Sequence, residues 1–272
     1  MQKNTVKKIR KWLIIFIAGY VVVGAGLYFF QDKILFHPES LPINHPFSFQ
    51  TSFNEINLAV NNEKNLSIVQ FTVPAKVCKG VVLYFHGNRK NIELYAPFAK
   101  NFTKNNYEAW MIDYPGYGKS TGKRTEQIMY DDASLLYQMA RARFSKDSIV
   151  VYGKSLGTGV AAKLASLKDC KRLLLETPYY SMDALMGHYA FIYPVSRMVK
   201  YHFPTNLYFE MVEAPITLFH GTKDEVIPYK HSVKLLKEKA GVQLITIEKG
   251  KHNNLNEFTF FHQQLDSLLQ VP

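Results

Sequence analysis

The residues best suited to chemistry are Gly153-Lys-Ser-Leu-Gly157. A β-branched run, Ile149-Val150-Val151, leads into them, and small and apolar residues at helical spacing follow (Val160, Ala161, Ala162, Leu164, Ala165, Leu167). G-x-S-x-G between a strand and a helix is the pattern of a nucleophile elbow. The tight turn strains the serine backbone, and the glycines let strand and helix approach without Cβ clashes. Ser155 Oγ then projects above the sheet, where the helix N-terminus favours developing negative charge.

A serine hydroxyl is a weak nucleophile until a histidine takes its proton and a carboxylate orients that histidine. In open α/β sheets such groups gather at the carboxyl ends of strands. The apolar run Ile216–Phe219 is followed by His220-Gly-Thr-Lys-Asp224, and Val242–Ile247 by Glu248-Lys-Gly-Lys-His252. The order Ser155, Asp224, His252 is the order this elbow requires. Glu225 and Glu176 are the competing carboxylates, with Glu176 read as structural. His220, His231 and His262 fall in a strand end or in helices and are read as ordinary histidines. An oxyanion hole needs two N–H donors. The backbone of Leu156 supplies one, and the loop His86-Gly87-Asn88-Arg89 offers the Asn88 amide as the other.

Gly118-Lys-Ser120 and Gly153-Lys-Ser155 imitate the end of a phosphate-binding loop, but Asp113 and Ser148 stand where its first glycine belongs. Gly116-Tyr-Gly118-Lys-Ser-Thr-Gly122 misses the dinucleotide spacing by one residue. No cofactor is expected. The histidines form no metal motif, and Cys78 and Cys170 match no metal spacing, so no metal is expected either. At the starts of two strands with one strand between them, the two thiols would lie roughly 10 Å apart, too far for a disulfide.

The elements that must position these groups alternate. Strands are predicted at Phe53–Val60, Leu66–Val73, Gly80–Phe85, Tyr107–Ile112, Ile149–Tyr152, Lys171–Leu175, Ile216–Phe219 and Val242–Ile247. Helices are predicted at Ile92–Asn105, Thr125–Phe144, Thr158–Lys168, Tyr229–Lys239 and Leu255–Leu269. Continuous apolar strands such as Val81-Val82-Leu83-Tyr84-Phe85 signify burial on both faces, hence an α/β fold with a mostly parallel sheet. Residues 179–213 exceed a simple crossover and are rich in aromatics. They are read as a helical lid, with Tyr179 and Tyr180 as candidate substrate contacts.

The chain of 272 residues suits one large α/β domain, and its 47% hydrophobic and 20% charged residues are ordinary for a globular protein. The net charge of +11 is uneven. Lys3, Lys7, Lys8, Arg10 and Lys11 precede any acid, and the remaining 28 basic against 22 acidic residues leave only +6. No basic helix with interleaved aromatics occurs, so no nucleic-acid partner is expected. Trp12 to Phe30 is uncharged and mostly apolar, spanning about 28 Å as a helix, close to a bilayer core. It is longer than a signal-peptide core and ends without a small-x-small site, which favours a signal anchor over a cleaved peptide. The preceding cations place the N-terminus in the cytoplasm and the catalytic domain on the extracytoplasmic side. Residues 1–31 are thus the basic tip and transmembrane anchor, 32–51 an extended linker, and 52–272 the catalytic domain.

With these motifs assembled, the chain resembles the α/β-hydrolase superfamily over about residues 52–272. The resemblance is carried by His86-Gly-Asn88, Asp113-Tyr-Pro-Gly-Tyr-Gly-Lys-Ser120, Gly153-Lys-Ser-Leu-Gly157, Gly221-Thr-Lys-Asp224 and Gly250-Lys-His252. The anchor followed by Lys33-Ile-Leu-Phe-His-Pro38 is similar to a membrane-anchored branch of single-domain serine hydrolases, akin to acyl-protein thioesterases and lysophospholipid hydrolases. This implies an eight-stranded sheet with the second strand antiparallel and the lid after the sixth. It also implies hydrolysis of a small-molecule or lipid-like acyl ester or thioester. Serine peptidases share the fold and the triad, and a non-catalytic binding protein on the same fold is the alternative of another class.

Overall fold

The computed structural model describes residues 2–270. Its centre is an eight-stranded sheet: β1 (Phe53–Ala59), β2 (Asn65–Phe71), β3 (Gly80–Phe85), β4 (Tyr107–Ile112), β5 (Ile149–Lys154), β6 (Arg172–Glu176), β7 (Ile216–Gly221) and β8 (Gln243–Ile247). The strand order is β8-β7-β6-β5-β3-β4-β2-β1. Strand β2 runs antiparallel to both its neighbours, and all other pairings are parallel. The chain passes from β3 outward to β4, then crosses back over β3 to β5. That reversal opens a crevice at the carboxyl ends of β3 and β5, where open α/β sheets bind ligands.

Alternate residues of each strand feed two cores. Val81, Leu83, Phe85, Val151 and Leu173 pack on one face with helices α3 (Glu126–Arg141) and α4 (Gly157–Leu167). Val82, Tyr84, Val150, Tyr152 and Leu174 pack on the other face with Phe102 and with Phe261 and Leu265 of the C-terminal helix Thr259–Gln270. Both faces are sealed, which is why the strands read as unbroken apolar runs.

Before the sheet lie α1 (Gln2–Phe29) and α2 (Gln31–Leu35). Helix α1 is long and apolar enough to cross a membrane from Thr5 to Phe29 and is hardly covered by the rest of the chain. The segment expected to be an extended linker departs from that reading at its start. Residues 31–35 are helical, with Ile34 N–H donating to the Phe30 carbonyl (3.1 Å), and His37–Pro38 form a two-residue parallel strand against Arg89–Lys90.

The expected helix at Ile92–Asn105 is instead three short pieces, Ile92–Tyr95, a 3-10 turn at Ala96–Ala99, and Lys100–Thr103. Pro97 cannot donate an amide hydrogen bond and interrupts the ladder. Between β6 and β7 the chain forms three short helices, α5 (Met182–Tyr189), α6 (Val195–Met198) and α7 (Thr205–Phe209).

Candidate active site

At the end of β5 the chain reverses into α4 through Ser155, whose φ of +50° lies in the left-handed region that non-glycine residues avoid. The strain is held from both sides. Ser155 N–H donates to the Glu176 carbonyl (2.9 Å), while Ser155 O accepts from Thr158 N (2.9 Å) and Thr158 Oγ1 (2.7 Å). The two glycines are required by contact. A Cβ on Gly157 would lie 2.1 Å from the Phe85 carbonyl oxygen, and one on Gly153 would lie 2.5 Å from the Gly157 oxygen.

Ser155 Oγ is 2.9 Å from His252 Nε2, and His252 Nδ1 is 2.9 Å from Asp224 Oδ2. Hydrogen-bond partners assign the tautomer: an N–H on Nδ1 donates to the carboxylate, leaving Nε2 to accept the serine proton. The loops after β7 and β8 bring Asp224 and His252 together because Gly221 lies against Gly250, where an added Cβ would be 2.2 Å from the Gly250 oxygen. Asp224 is fully enclosed. Its Oδ1 accepts from the amides of Val226 (2.9 Å) and Ile227 (2.7 Å). Burial pushes the Asp224 carboxyl upward. Hydrogen bonds from His220 and His252 outweigh that and hold it well below the usual carboxylate range.

His220 is a participant that sequence reasoning passed over. Its Nε2 lies 3.1 Å from Asp224 Oδ2 and 2.9 Å from the Ile227 carbonyl, and its Nδ1 lies 2.6 Å from the Ser232 hydroxyl. His220 thus lies against the same Asp224 Oδ2 that meets His252 and helps to hold that carboxylate in place.

The loop carrying Asn88 passes beside the serine, with an added Gly87 Cβ 3.6 Å from Ser155 Cβ. The Asn88 carbonyl accepts from His37 N–H and from the Tyr117 hydroxyl, both at 2.9 Å, and the Asn88 side-chain amide donates to the Leu35 carbonyl (2.8 Å). Tyr114 hydroxyl holds the His86 carbonyl (2.9 Å), and Asp113 Oδ1 accepts from Ile92 N–H (2.9 Å). Burial raises the Asp113 carboxyl, with the neighbouring His86 opposing the rise. The Asp113-Tyr-Pro-Gly-Tyr117 motif therefore serves as the brace of this loop. Among the described residues neither the Asn88 nor the Leu156 amide donates to a backbone carbonyl in the surrounding turns and loops.

Two cavities meet at Ser155. One, about 450 Å³, is lined by polar groups including His37, Arg89, His252 and Asn253. The other, about 280 Å³, is largely apolar, with Leu35, Leu156, Tyr179, Met182 and Leu185 among its walls. Tyr179 is buried there and donates its hydroxyl to the Leu156 carbonyl (3.0 Å). Tyr180 lines neither of these two cavities. Its amide donates to His231 Nδ1 (3.2 Å) and its hydroxyl to Glu238 (2.8 Å), because consecutive loop residues turn opposite ways. The Glu176 carboxylate pairs with the buried Lys154 amine and the Tyr152 hydroxyl rather than with His252. Among the described residues no group of three or more His, Cys, Asp or Glu side chains is arranged to hold a metal ion, and both thiols are free.

A family model described as serine aminopeptidase, S33, matches residues 76–209. The Pyrococcus furiosus esterase Pf2001 superposes with a TM-score of 0.65 at 18% identity, covering 87% of this chain and 97% of its own. The chain has the α/β-hydrolase fold. In sequence it is similar to human alpha/beta hydrolase domain-containing protein 17C, 28% identical over 194 residues. That match takes in 69% of this chain but only 57% of the human protein, less than two thirds of its length. Protein bem46 of Schizosaccharomyces pombe is 27% identical over 232 residues, covering 79% of this chain and 77% of its own. A soluble variant of Saccharomyces cerevisiae monoglyceride lipase shares the fold with a TM-score of 0.62 at 14% identity, covering 83% of this chain and 98% of its own.

Proposed function

We propose that this serine hydrolase cleaves carboxylic ester or thioester bonds of substrates with an apolar acyl group, at a membrane to which α1 anchors it. The observation that carries the reading is the unbroken relay from Ser155 Oγ through His252 to Asp224, each link 2.9 Å. Ser155 Oγ attacks the acyl carbonyl while His252 Nε2 takes its proton. Asp224 holds the imidazole and stabilises the imidazolium that forms. The amides of Leu156 and Asn88 stabilise the oxyanion of the tetrahedral intermediate. Collapse expels the alcohol or thiol, which receives the proton from His252. Water, deprotonated by the same histidine, then attacks the acyl-serine and releases the acid, restoring Ser155.

The apolar cavity beside the serine supports an acyl preference, as do the esterase and the monoglyceride lipase among the structural relatives. The basic residues at the start of α1 support a cytoplasmic N-terminus with the catalytic domain on the other side. A second reading, peptide hydrolysis, is favoured by the description of the matching family model.

A fluorophosphonate probe and parallel panels of nitrophenyl esters and peptide amides separate these. Labelling lost in Ser155→Ala, with turnover rising along the acyl series, is the expected result. Amide turnover without ester turnover would establish the peptidase. A wild-type chain that neither labels nor turns over would be a binding protein on this fold.

A further inference from the structure

The apolar cavity at Ser155 does not stop at the lid. Ile34, Leu35, Met182 and Met186 line it and also line a second, narrow slot of about 70 Å³, which continues past Met198 and Tyr193 to Leu27 of the membrane helix. The polar side chains bordering the slot spend their hydrogen bonds elsewhere. Gln31 donates to the Met198 carbonyl (3.1 Å) and accepts from Lys200 N–H (2.7 Å), Tyr201 donates to Asp32 (2.6 Å), and Tyr193 donates to the Tyr20 carbonyl (3.0 Å). What remains facing the slot is hydrocarbon, which excludes a polar occupant.

The far end of the slot lies beside the membrane span. Tyr193 stacks on Tyr20 with ring centroids 4.5 Å apart and would be struck by a Cβ on Gly24 at 2.9 Å. The Tyr20 hydroxyl returns a hydrogen bond to the Ile192 carbonyl (3.0 Å). Tyr20 precedes the end of α1 by nine residues, roughly 14 Å along the axis. The turn after α5 is therefore fixed well down the side of the span. It exposes Phe191 (81%) and Ile192 (58%) there, side chains that suit hydrocarbon and not water.

We propose that the acyl chain of a membrane-resident lipid ester or thioester reaches Ser155 sideways from the bilayer, through this slot, with α1 and α2 as one wall and the lid helices α5 and α6 as the other. The inference rests on the ester-hydrolase reading. It narrows the substrate to a lipid whose chain stays in the membrane while its leaving group lies in the polar cavity of His37, Arg89 and Asn253.

The test uses the full chain in phosphatidylcholine vesicles. Nitrophenyl butanoate and nitrophenyl palmitate are compared for the wild type, for Met198→Trp and for Val199→Trp, whose indoles fill the slot away from Ser155. The palmitate-to-butanoate ratio of kcat/KM is expected to fall at least tenfold in both variants, and an unchanged ratio would overturn the route. Independently of variant folding, a long-chain alkyl phosphonate with a diazirine at its terminal carbon is attached to Ser155 in the wild type and photolysed. Cross-links to Leu27, Tyr193 or Met198 are expected, and cross-links to Arg89 or Asn253 would overturn the route. If no phosphonate or ester reacts at Ser155, the hydrolase reading fails first and the slot with it.

Discussion

Gly157→Ala adds one methyl group and addresses the strand–helix approach that presents Ser155. The new Cβ would lie 2.1 Å from the Phe85 carbonyl oxygen and 2.8 Å from the His86 oxygen, both backbone atoms that no rotamer change can move. Relieving the first contact toward the 3.0 Å that real Cβ atoms keep means parting α4 from β3 by nearly an ångström. Forced separation of this kind in a packed core costs about 1–3 kcal/mol. The same displacement moves the Leu156 amide and the Ser155 Oγ relative to the Asn88 loop, and a misplacement of about 1 Å costs on the order of a hundredfold in rate. The expected outcome is a thermal midpoint lowered by several degrees together with kcat reduced about a hundredfold. Gly187→Ala in α5 is the matched control. Nothing lies within 4 Å of its added Cβ. In a helix interior the exchange stabilises by roughly 0.5–1 kcal/mol. Differential scanning calorimetry and ester turnover on both variants decide the matter. Full activity with an unshifted midpoint in Gly157→Ala would refute the argument that this contact sets the site.

Three further outcomes follow from the site. Asp224→Asn leaves the packing but misorients His252, so kcat should fall on the order of 10⁴-fold with KM little changed, read by steady-state ester kinetics. His220→Leu removes a donor from the buried Asp224 carboxylate. Loss of a hydrogen bond to a charged group is worth about 1.5–3 kcal/mol, so kcat should fall about ten- to hundredfold in steady-state ester kinetics. A rate equal to wild type would remove His220 from the relay. Burial, joined by Lys230 and Lys234, pushes the His231 imidazole down from 6.5 to about 4. Between those pH values the unfolded chain takes up a proton that the folded one refuses, so stability is full above the upper value and declines as pH falls toward the lower. His231→Gln should flatten that decline in urea unfolding followed across the same window.

The sheet was legible because its strands are buried on both faces and so stand out as apolar runs, and the elbow was legible because its glycines are forced by contact. Asp224 could be placed because it follows such a strand, and His252 because it follows the half-exposed apolar edge strand β8. Other features had no comparable mark. Helix α2 has only five residues, too few to show a period, so the wall it lends to the site was hidden in what read as a linker, although Lys33–Pro38 was already a recognisable motif. Pro97 split a helix whose apolar spacing ran on past it. Tyr179 and Tyr180 have the same residue type and sit side by side. Only the fold decides which of two consecutive loop side chains points inward. His220 closes a strand, and nothing in its neighbours announces that the chain returns to put Asp224 beside it.

The pairing of His37–Pro38 with Arg89–Lys90, and the grip of Leu35 and His37 on Asn88, bear on how the anchor can be exchanged. A tether that merely holds an enzyme at a membrane is modular, and any apolar helix of the right length can replace it. Here the exit of the anchor supplies partners to the loop beside the nucleophile. A chimera joined before Gln31 keeps those partners, whereas one joined after Pro38 inherits the address without them. Under the anchoring proposed above, the seam between targeting and chemistry falls inside the candidate site, within the first 38 residues.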